Sequence, residues 1–506
     1  MRACIAVLAA GLMGCTANVL QPDPCVDNSS CRAAFGRGWT CAVDGRCEEP
    51  VPEPRCTSVP EGIVQDPAAF EDRFLLGMIF PPGGVFQPMI HGGRLAVLNV
   101  NDHGLDGRLF GIVECSNDAN VGLDGLDENA ATAYVANYLA DVLGVHAVVG
   151  PATSTRTEIA FDTLSPFDVV LASPSATSPG LTPLDGTTPS DAEPGLLWRT
   201  APPDDLQGRA IAAEMIQNLE AESAAVVHQT GAYGAGLAAV FVEQFTEGGT
   251  RTATQHPFTS TADLATALTE VSVAAAAGLD QVLIISSNPA DVISFLDVAA
   301  TDSNYDDVGI FLPDGGRTAE LFRPTGQPRE IFFQQDRIRG TVPKTPVGRQ
   351  VYETFAANYN LVFPDNPDDF GFTAHAYDAA WILLYGTAWA YYQEEAITGT
   401  AIARGLRRLS AGQEVRVGPA EWNLVKGQFE AGQSVNIDGA SGALDFDPGT
   451  EETAAPVDVW RIVPSVGDDP WEFENTHCWD LSDDPGECDG EPPEEDPPGD
   501  DDDSAD

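Results

Sequence analysis

Between residues 56 and 464, short β-rich runs alternate with helical runs, and the alternation happens twice. The first series places strands at 74–80, 109–114, 146–150 and 169–172, and the second at 224–228, 252–258, 281–286 and 308–312. The runs between them have helical spacing. Over 128–143, Ala131, Tyr134, Val135, Tyr138, Leu139 and Val142 recur at three- and four-residue steps, and Gly144 follows as a C-cap. Runs 233–247 and 264–277 behave alike. Strands alternating with helices give a mostly parallel sheet covered on both faces, so the fold class predicted is α/β with two lobes. A mostly helical stretch (347–409) and a β-rich return (443–463) must rejoin those lobes, which predicts several crossings and hence a multi-strand hinge. The expected division is lobe one at 72–201 plus 330–440, and lobe two at 202–329 plus 441–464.

The ends of the chain are of another kind. Residues 1–15 read MRACIAVLAAGLMGC: one basic residue, an apolar run too short to span a bilayer, then a cysteine. Leu12-Met13-Gly14-Cys15 resembles the lipobox of bacterial lipoproteins, which implies acylation of Cys15 and a membrane anchor in the cell envelope. Cleavage after Ala17, with Cys15 lost, is the other reading. The most apolar later segment, 376–392, carries Asp378 and reads as a buried core helix.

Ten cysteines less Cys4 and Cys15 leave eight, an even number for an exported chain, so disulfides are expected. Cys25, Cys31, Cys41 and Cys47 fall in a short stretch unable to build a core without cross-links, where two bridges have three possible connectivities. Their spacing is not that of zinc ligands. Cys478 and Cys488 flank a Pro-Gly turn and pair, which leaves Cys56 with Cys115 by elimination. Residues 16–55 are then a small disulfide-rich bead, ending in a Pro/Glu linker (48–55) that acts as a stiff tether. Residues 465–506, with the Cys478/Cys488 pair, form an acidic tail; 483–506 hold 13 acidic and no basic residues and are expected to be disordered. A net charge of −52 argues against nucleic acid as a partner.

Seven motifs resemble, in order, the type I periplasmic binding proteins of the leucine/isoleucine/valine-binding kind. They are Val148-Val149-Gly150-Pro151-Ala152-Thr153-Ser154; Ala172-Ser173-Pro174-Ser175-Ala176-Thr177-Ser178-Pro179; Trp198-Arg199-Thr200-Ala201-Pro202-Pro203-Asp204 with Gln207-Gly208-Arg209; Tyr233-Gly234-Ala235-Gly236; Phe311-Leu312-Pro313-Asp314-Gly315; Ala376-Tyr377-Asp378-Ala379; and Gly442-Ala443-Leu444-Asp445-Phe446-Asp447. The resemblance implies a cleft that closes on a small amino-acid-like ligand or related carboxylate. Open parallel sheets place their crevice at the strands' C-terminal ends, where helix N-termini favour an anion.

By the same resemblance, loops holding Thr153, Ser154, Ser175, Ala176 and Thr177 donate to the ligand carboxylate, while on lobe two an aromatic stands at Tyr233 and an acid at Asp314, the acid facing the ligand ammonium. Asn288 is a further wall candidate at the end of a lobe-two strand. Each has a plainer role available: Ser and Thr as caps or turn residues, Tyr233 as packing, Asp314 as a turn cap. The loop 81–86 offers no identifiable ligand-facing side chain.

The seven histidines are scattered singly without HExxH, and the chain lacks GxSxG, a P-loop and GxGxxG. The expectation is a binding protein, not an enzyme, with no cofactor or metal and an ABC permease as partner. The alternative is a ligand-sensing or surface module on the same fold, for which the cysteine-rich segment and acidic tail have a use.

Overall fold

The computed structural model describes residues 24–186, 188–344, 347–467, 469–480 and 486–488. Cys15, the segment before it and the acidic run beyond 488 lie outside the described residues.

Two sheets carry the chain. In the first, β1 (Cys56–Val59), β2 (Phe74–Ile79), β3 (Phe110–Cys115), β4 (Ala147–Val149), β5 (Val170–Ser173) and β6 (Leu197–Arg199) lie in the order β1-β3-β2-β4-β5-β6. All neighbours are parallel except β1 with β3. In the second, β7 (Ser223–Gln229), β8 (Thr252–Phe258), β9 (Gln281–Ile285), β10 (Gly309–Leu312) and β11 (Ile338–Pro343) run parallel in the order β8-β7-β9-β10-β11. Antiparallel β12 (Val457–Pro464), β13 (Trp471–Asp480) and β14 (Gly486–Glu487) extend it. Strands buried along most of their length, such as β2 and β9, are continuously apolar because helices cover both faces.

The helices that matter below are α1 (Gln87–Val100), α2 (Glu128–Asn137), α3 (Ser154–Leu164), α4 (Asp204–Gln217), α5 (Ala232–Thr246), α6 (Pro289–Ala299) and α7 (Thr373–Gln393). Every residue of α7 from Thr373 to Ala390 is buried, which makes it the central helix of lobe one. Among the described residues no helix is long and apolar enough to cross a membrane.

Three sequence expectations need correction. First, the boundaries at 330 and 441 are misplaced. Strand β11 pairs with β10 and β12, so lobe two extends to Pro343. Residues 441–456 stay on lobe one, where Glu451 accepts from Gly195 and Glu452 pairs with Arg199, and only Val457 begins the return. Apolar β-branched content in 338–343 does not say which sheet it completes. Second, the cysteine module is not a separate bead. Asn28 donates to Asp141 at 2.7 Å, Gly38 N–H to the Val142 carbonyl at 3.1 Å and Arg37 to the Phe70 carbonyl at 2.9 Å. The linker is packed too: Glu53, 7% exposed, accepts the Tyr134 hydroxyl. Third, part of the expected tail is strand β13 of lobe two, whose Trp479 and His477 bond to buried Glu214 of α4. The acidic composition of 465–506 as a whole masks the alternation within 471–480.

The bridges are Cys25–Cys41, Cys31–Cys47, Cys56–Cys115 and Cys478–Cys488.

Candidate ligand-binding site between the lobes

On lobe one, two turns at the C-terminal ends of parallel strands face lobe two. The turn after β4 needs Gly150, which sits at φ +90° and whose added Cβ would lie 2.6 Å from the Ile79 carbonyl oxygen. It leads through Pro151 and Ala152 to Thr153, the N-cap of α3, whose side chain makes no capping bond. The first-turn N–H groups of α3 therefore keep their partial positive charge for another acceptor.

The turn after β5 is braced from behind. Ser175 Oγ donates to the Ala152 carbonyl at 2.7 Å, and Ser178 N–H donates to Ser154 Oγ at 3.1 Å. Arg199, only 1% exposed, donates to the carbonyls of Ala176 (3.2 Å) and Ser178 (2.8 Å), and Glu452 balances its charge. Such a bracket keeps a polar loop rigid where it would otherwise be mobile.

Lobe two answers with Tyr233 at the start of α5 and Asp314 after β10. The Tyr233 hydroxyl donates to Asp314 Oδ1 at 2.5 Å and receives Gly315 N–H at 3.3 Å. A Cβ on residue 315 would lie 2.6 Å from the Ser286 carbonyl oxygen, so the turn requires glycine for close approach. Behind them, Asp204 at the start of α4 accepts the Thr177 hydroxyl at 2.9 Å. Gln207, its amide nitrogen toward the carboxylates, donates to Asp314 at 3.0 Å and Asp204 at 3.2 Å.

Both acids are buried. Loss of water raises the pKa of each, and for Asp204 the neighbouring Asp314 charge adds to the rise. Burial, and then Asp314, also pushes the Tyr233 phenol up. Burial of two neighbouring carboxylates disfavours their both being charged at once.

The front groups of this arrangement line one partly open pocket of about 40 Å³. Ala152, Thr153, Ser154 and Ser175 line it from lobe one, and Tyr233, Ser287, Pro289, Asp314 and Gly315 from lobe two. Val85, Phe86, Phe370 and Phe372 form an apolar wall. The lobes also touch directly: Ser178 Oγ donates to the Ala232 carbonyl at 2.8 Å, and Ala232 N–H to Thr155 Oγ1 at 3.1 Å.

Five of the eight ligand candidates named from the sequence line the pocket: Thr153, Ser154, Ser175, Tyr233 and Asp314. Ala176 does not line the pocket; its N–H is given to Ser173 Oγ. Thr177 is held by Asp204 and acts behind the pocket. Asn288 is exposed and its side chain is taken up in capping α6 by accepting Ala290 N–H; its neighbours Ser287 and Pro289 line the cleft pocket instead. Phe370 and Phe372 were not anticipated. They lie between helices with no periodic pattern, and only their aromatic density marks them.

The family described as the receptor family ligand binding region matches residues 117–465. A Leu/Ile/Val-binding protein of Rhizobium johnstonii is 29% identical over 181 residues, 34% of this chain and 44% of that protein, so the match spans less than half of that relative. Among solved structures, the branched-chain amino acid transporter substrate-binding protein LivJ of Streptococcus pneumoniae, in complex with isoleucine, has a TM-score of 0.57 at 21% identity, covering 80% of this chain and all of that one. A leucine-binding protein LivK of Thermotoga maritima has a TM-score of 0.59 at 19% identity, covering 79% and 97%.

Proposed function

The chain belongs to the receptor family ligand binding region family, as a type I periplasmic binding protein of the leucine/isoleucine/valine-binding kind, and from that premise we propose that it captures a small amino-acid-like ligand between its lobes for ABC-type uptake. In this reading the protein is exported, anchored through lipid on Cys15 at the cell envelope, and hands its ligand to a permease.

The observation that carries the proposal is the meeting, in one pocket, of lobe-one donors with a lobe-two acid. The N–H groups at the start of α3, with Ser154 and Ser175, suit a carboxylate; Asp314 and Tyr233 suit an ammonium. Because the two sets sit on different lobes, a ligand carrying both charges bridges them and favours the closed arrangement. The phenylalanine wall favours an apolar side chain.

About 40 Å³ is room for about three waters, less than an amino acid requires. Ligand entry therefore demands that the lobes part and re-close around it. A thermal-shift screen of amino acids, amides and small carboxylates, followed by small-angle scattering, tests this. Ligand at 100 times its dissociation constant raises stability by about 2.7 kcal/mol, a melting shift of a few degrees. The proposal fails if no amino acid or small carboxylate shifts melting, or if the ligand that does leaves the scattering profile unchanged.

A further inference from the structure

Two apolar walls of the cleft pocket are joined by a row of polar groups outside it. One wall, Val85 and Phe86, ends the loop 81–86 before α1; the other, Phe370 and Phe372, ends the segment 363–372 that leads into α7. Phe86 and Phe370 meet edge to face with ring centroids 6.2 Å apart. The loop has little packing of its own at its tip, where a Cβ added to Gly83 or Gly84 would meet nothing within 4 Å.

The row runs Gly83, Gln87, His91, Asp365. Gly83 N–H donates to Gln87 Oε1 at 3.0 Å, the Gln87 amide nitrogen stands 2.8 Å from His91 Nε2, and His91 Nδ1 stands 2.7 Å from Asp365 Oδ1. Gln87 and His91 are four residues apart on α1 and so share a side of it. From the helix 350–362 the Tyr359 hydroxyl donates to Asp365 Oδ2 at 2.6 Å, and Phe363 stacks on the imidazole at 4.1 Å. The other charged groups nearby are Asp368 and Asp369, farther along the same segment, and Arg94, the next turn of α1, which is paired with Glu114.

Every direction in the row is forced. A backbone N–H only donates, so the Gln87 oxygen faces Gly83 and its NH₂, which has donors alone, faces the ring. His91 Nε2 must then accept, which puts the ring proton on Nδ1, toward Asp365. Asp365 can accept from the ring in either charge state. Gln87 cannot serve both: a second ring proton, on Nε2, sets two donors face to face at 2.8 Å. Turning the amide over to meet that proton leaves Gly83 N–H facing NH₂. Protonation of His91 therefore removes one bond from the row, whichever way Gln87 responds.

We propose that His91 is a positioning residue of the cleft: its neutral ring holds the Val85–Phe86 wall against the Phe370 wall, and its protonation releases the loop, so that ligand affinity falls as pH falls. The effect on affinity rests on the proposed ligand cleft; the tie rests on the row alone.

Hydrogen exchange of the full chain, without ligand and corrected for the intrinsic rate, tests the tie between about pH 8 and about pH 5, the range over which histidine changes charge. Protection of the loop 81–86 falls about threefold to tenfold in the parent on acidification. Gln87→Glu supplies a carboxylate that accepts from Gly83 and from the protonated ring together, and keeps the loop protected at the acid end. His91→Gln, which takes up no proton, gives a loop whose protection does not change with pH. Leucine is the probe for binding: over the same range the parent loses about threefold to tenfold more affinity in calorimetry than Gln87→Glu does. Asp204 and Asp314 titrate in both proteins and drop out of that comparison. Parent protection that does not change with pH, or that falls equally in all three proteins, overturns the proposal. Equal losses of leucine affinity in parent and Gln87→Glu overturn the role in binding. Absence of leucine binding at both ends counts against the proposed function, while the exchange result still decides the tie.

Discussion

The Tyr233 hydroxyl and the Asp314 carboxylate, 81 positions apart, meet at 2.5 Å inside the cleft. The bond spans two separate βα turns of lobe two and fixes the acid's direction before any ligand arrives. A carboxylate already oriented loses less freedom when it receives an ammonium group.

Asp314→Ala consequently weakens amino-acid binding by about 2 kcal/mol, more than tenfold in dissociation constant. A ligand with a carboxylate and no ammonium loses little from the same change. Calorimetry with one ligand of each kind separates the two. Equal losses for both would mean that Asp314 supports the pocket wall and receives no ammonium.

Asp204 and Asp314 also make stability depend on pH. Both have folded-state pKa values raised by burial above the ordinary value of about 4. For an acid shifted upward, the folded state binds more protons, so the contribution is fully present below the unfolded pKa and is lost as pH rises through the folded one. Chemical denaturation should give falling stability from about pH 4 upward. Asp204→Asn, which keeps Thr177 and Gln207 supplied with an amide, flattens that fall. A curve of unchanged slope in the variant would place the origin of the pH dependence elsewhere.

Much of this arrangement was legible beforehand, for identifiable reasons. Strands such as β2 and β9 announce themselves because burial on both faces selects continuous apolar runs, and the turns after β4 and β10 do so through Gly150 and Gly315, where a side chain would strike backbone. Local chemistry writes such features into local sequence. What escaped notice depends on contacts across long separations. Whether β11 completes sheet one or two is set by Val342 and Ile338 packing in the lobe-two core, which no spacing encodes. Thr177 looks like a ligand donor until Asp204, 27 residues on, takes its hydroxyl. Phe370 reaches the cleft only because the chain returns to lobe one after β11 and packs it against Phe86.

The C-terminal strand supplies a test of the corrected boundary. Strand β13 lies along β12, packs Phe473 edge-on against Trp460 with ring centroids 5.0 Å apart, and places Trp479 and His477 on Glu214. A chain ending after residue 488 melts close to the parent. One ending at 464 exposes the β12 edge and leaves the buried Glu214 with one donor, Asn218, at a cost of several kcal/mol. Similar melting of the two truncations would return β13 to the status of a dispensable tail.

The Cys56–Cys115 bridge joins residues directly opposite each other in the antiparallel pair of β1 and β3, closing a loop of 59 residues in sequence separation. Its main effect is to restrict the unfolded chain, and a loop of this size corresponds to about 4 kcal/mol. The folded geometry is held independently: β1 keeps its ladder to β3, and buried Ile63 and Val64 pack beneath it. The cleft lies at the far side of the turns that follow β4 and β5, which the bridge does not touch. The double change Cys56→Ser and Cys115→Ser should accordingly lower the denaturation midpoint by an amount equivalent to about 2–4 kcal/mol while leaving the dissociation constant for the cleft ligand within about twofold. Urea denaturation and calorimetry on the same preparation decide it. A large loss of affinity at unchanged stability would show that the bridge positions the neighbouring strand β2 and its loop to Phe86, and acts on the folded state after all.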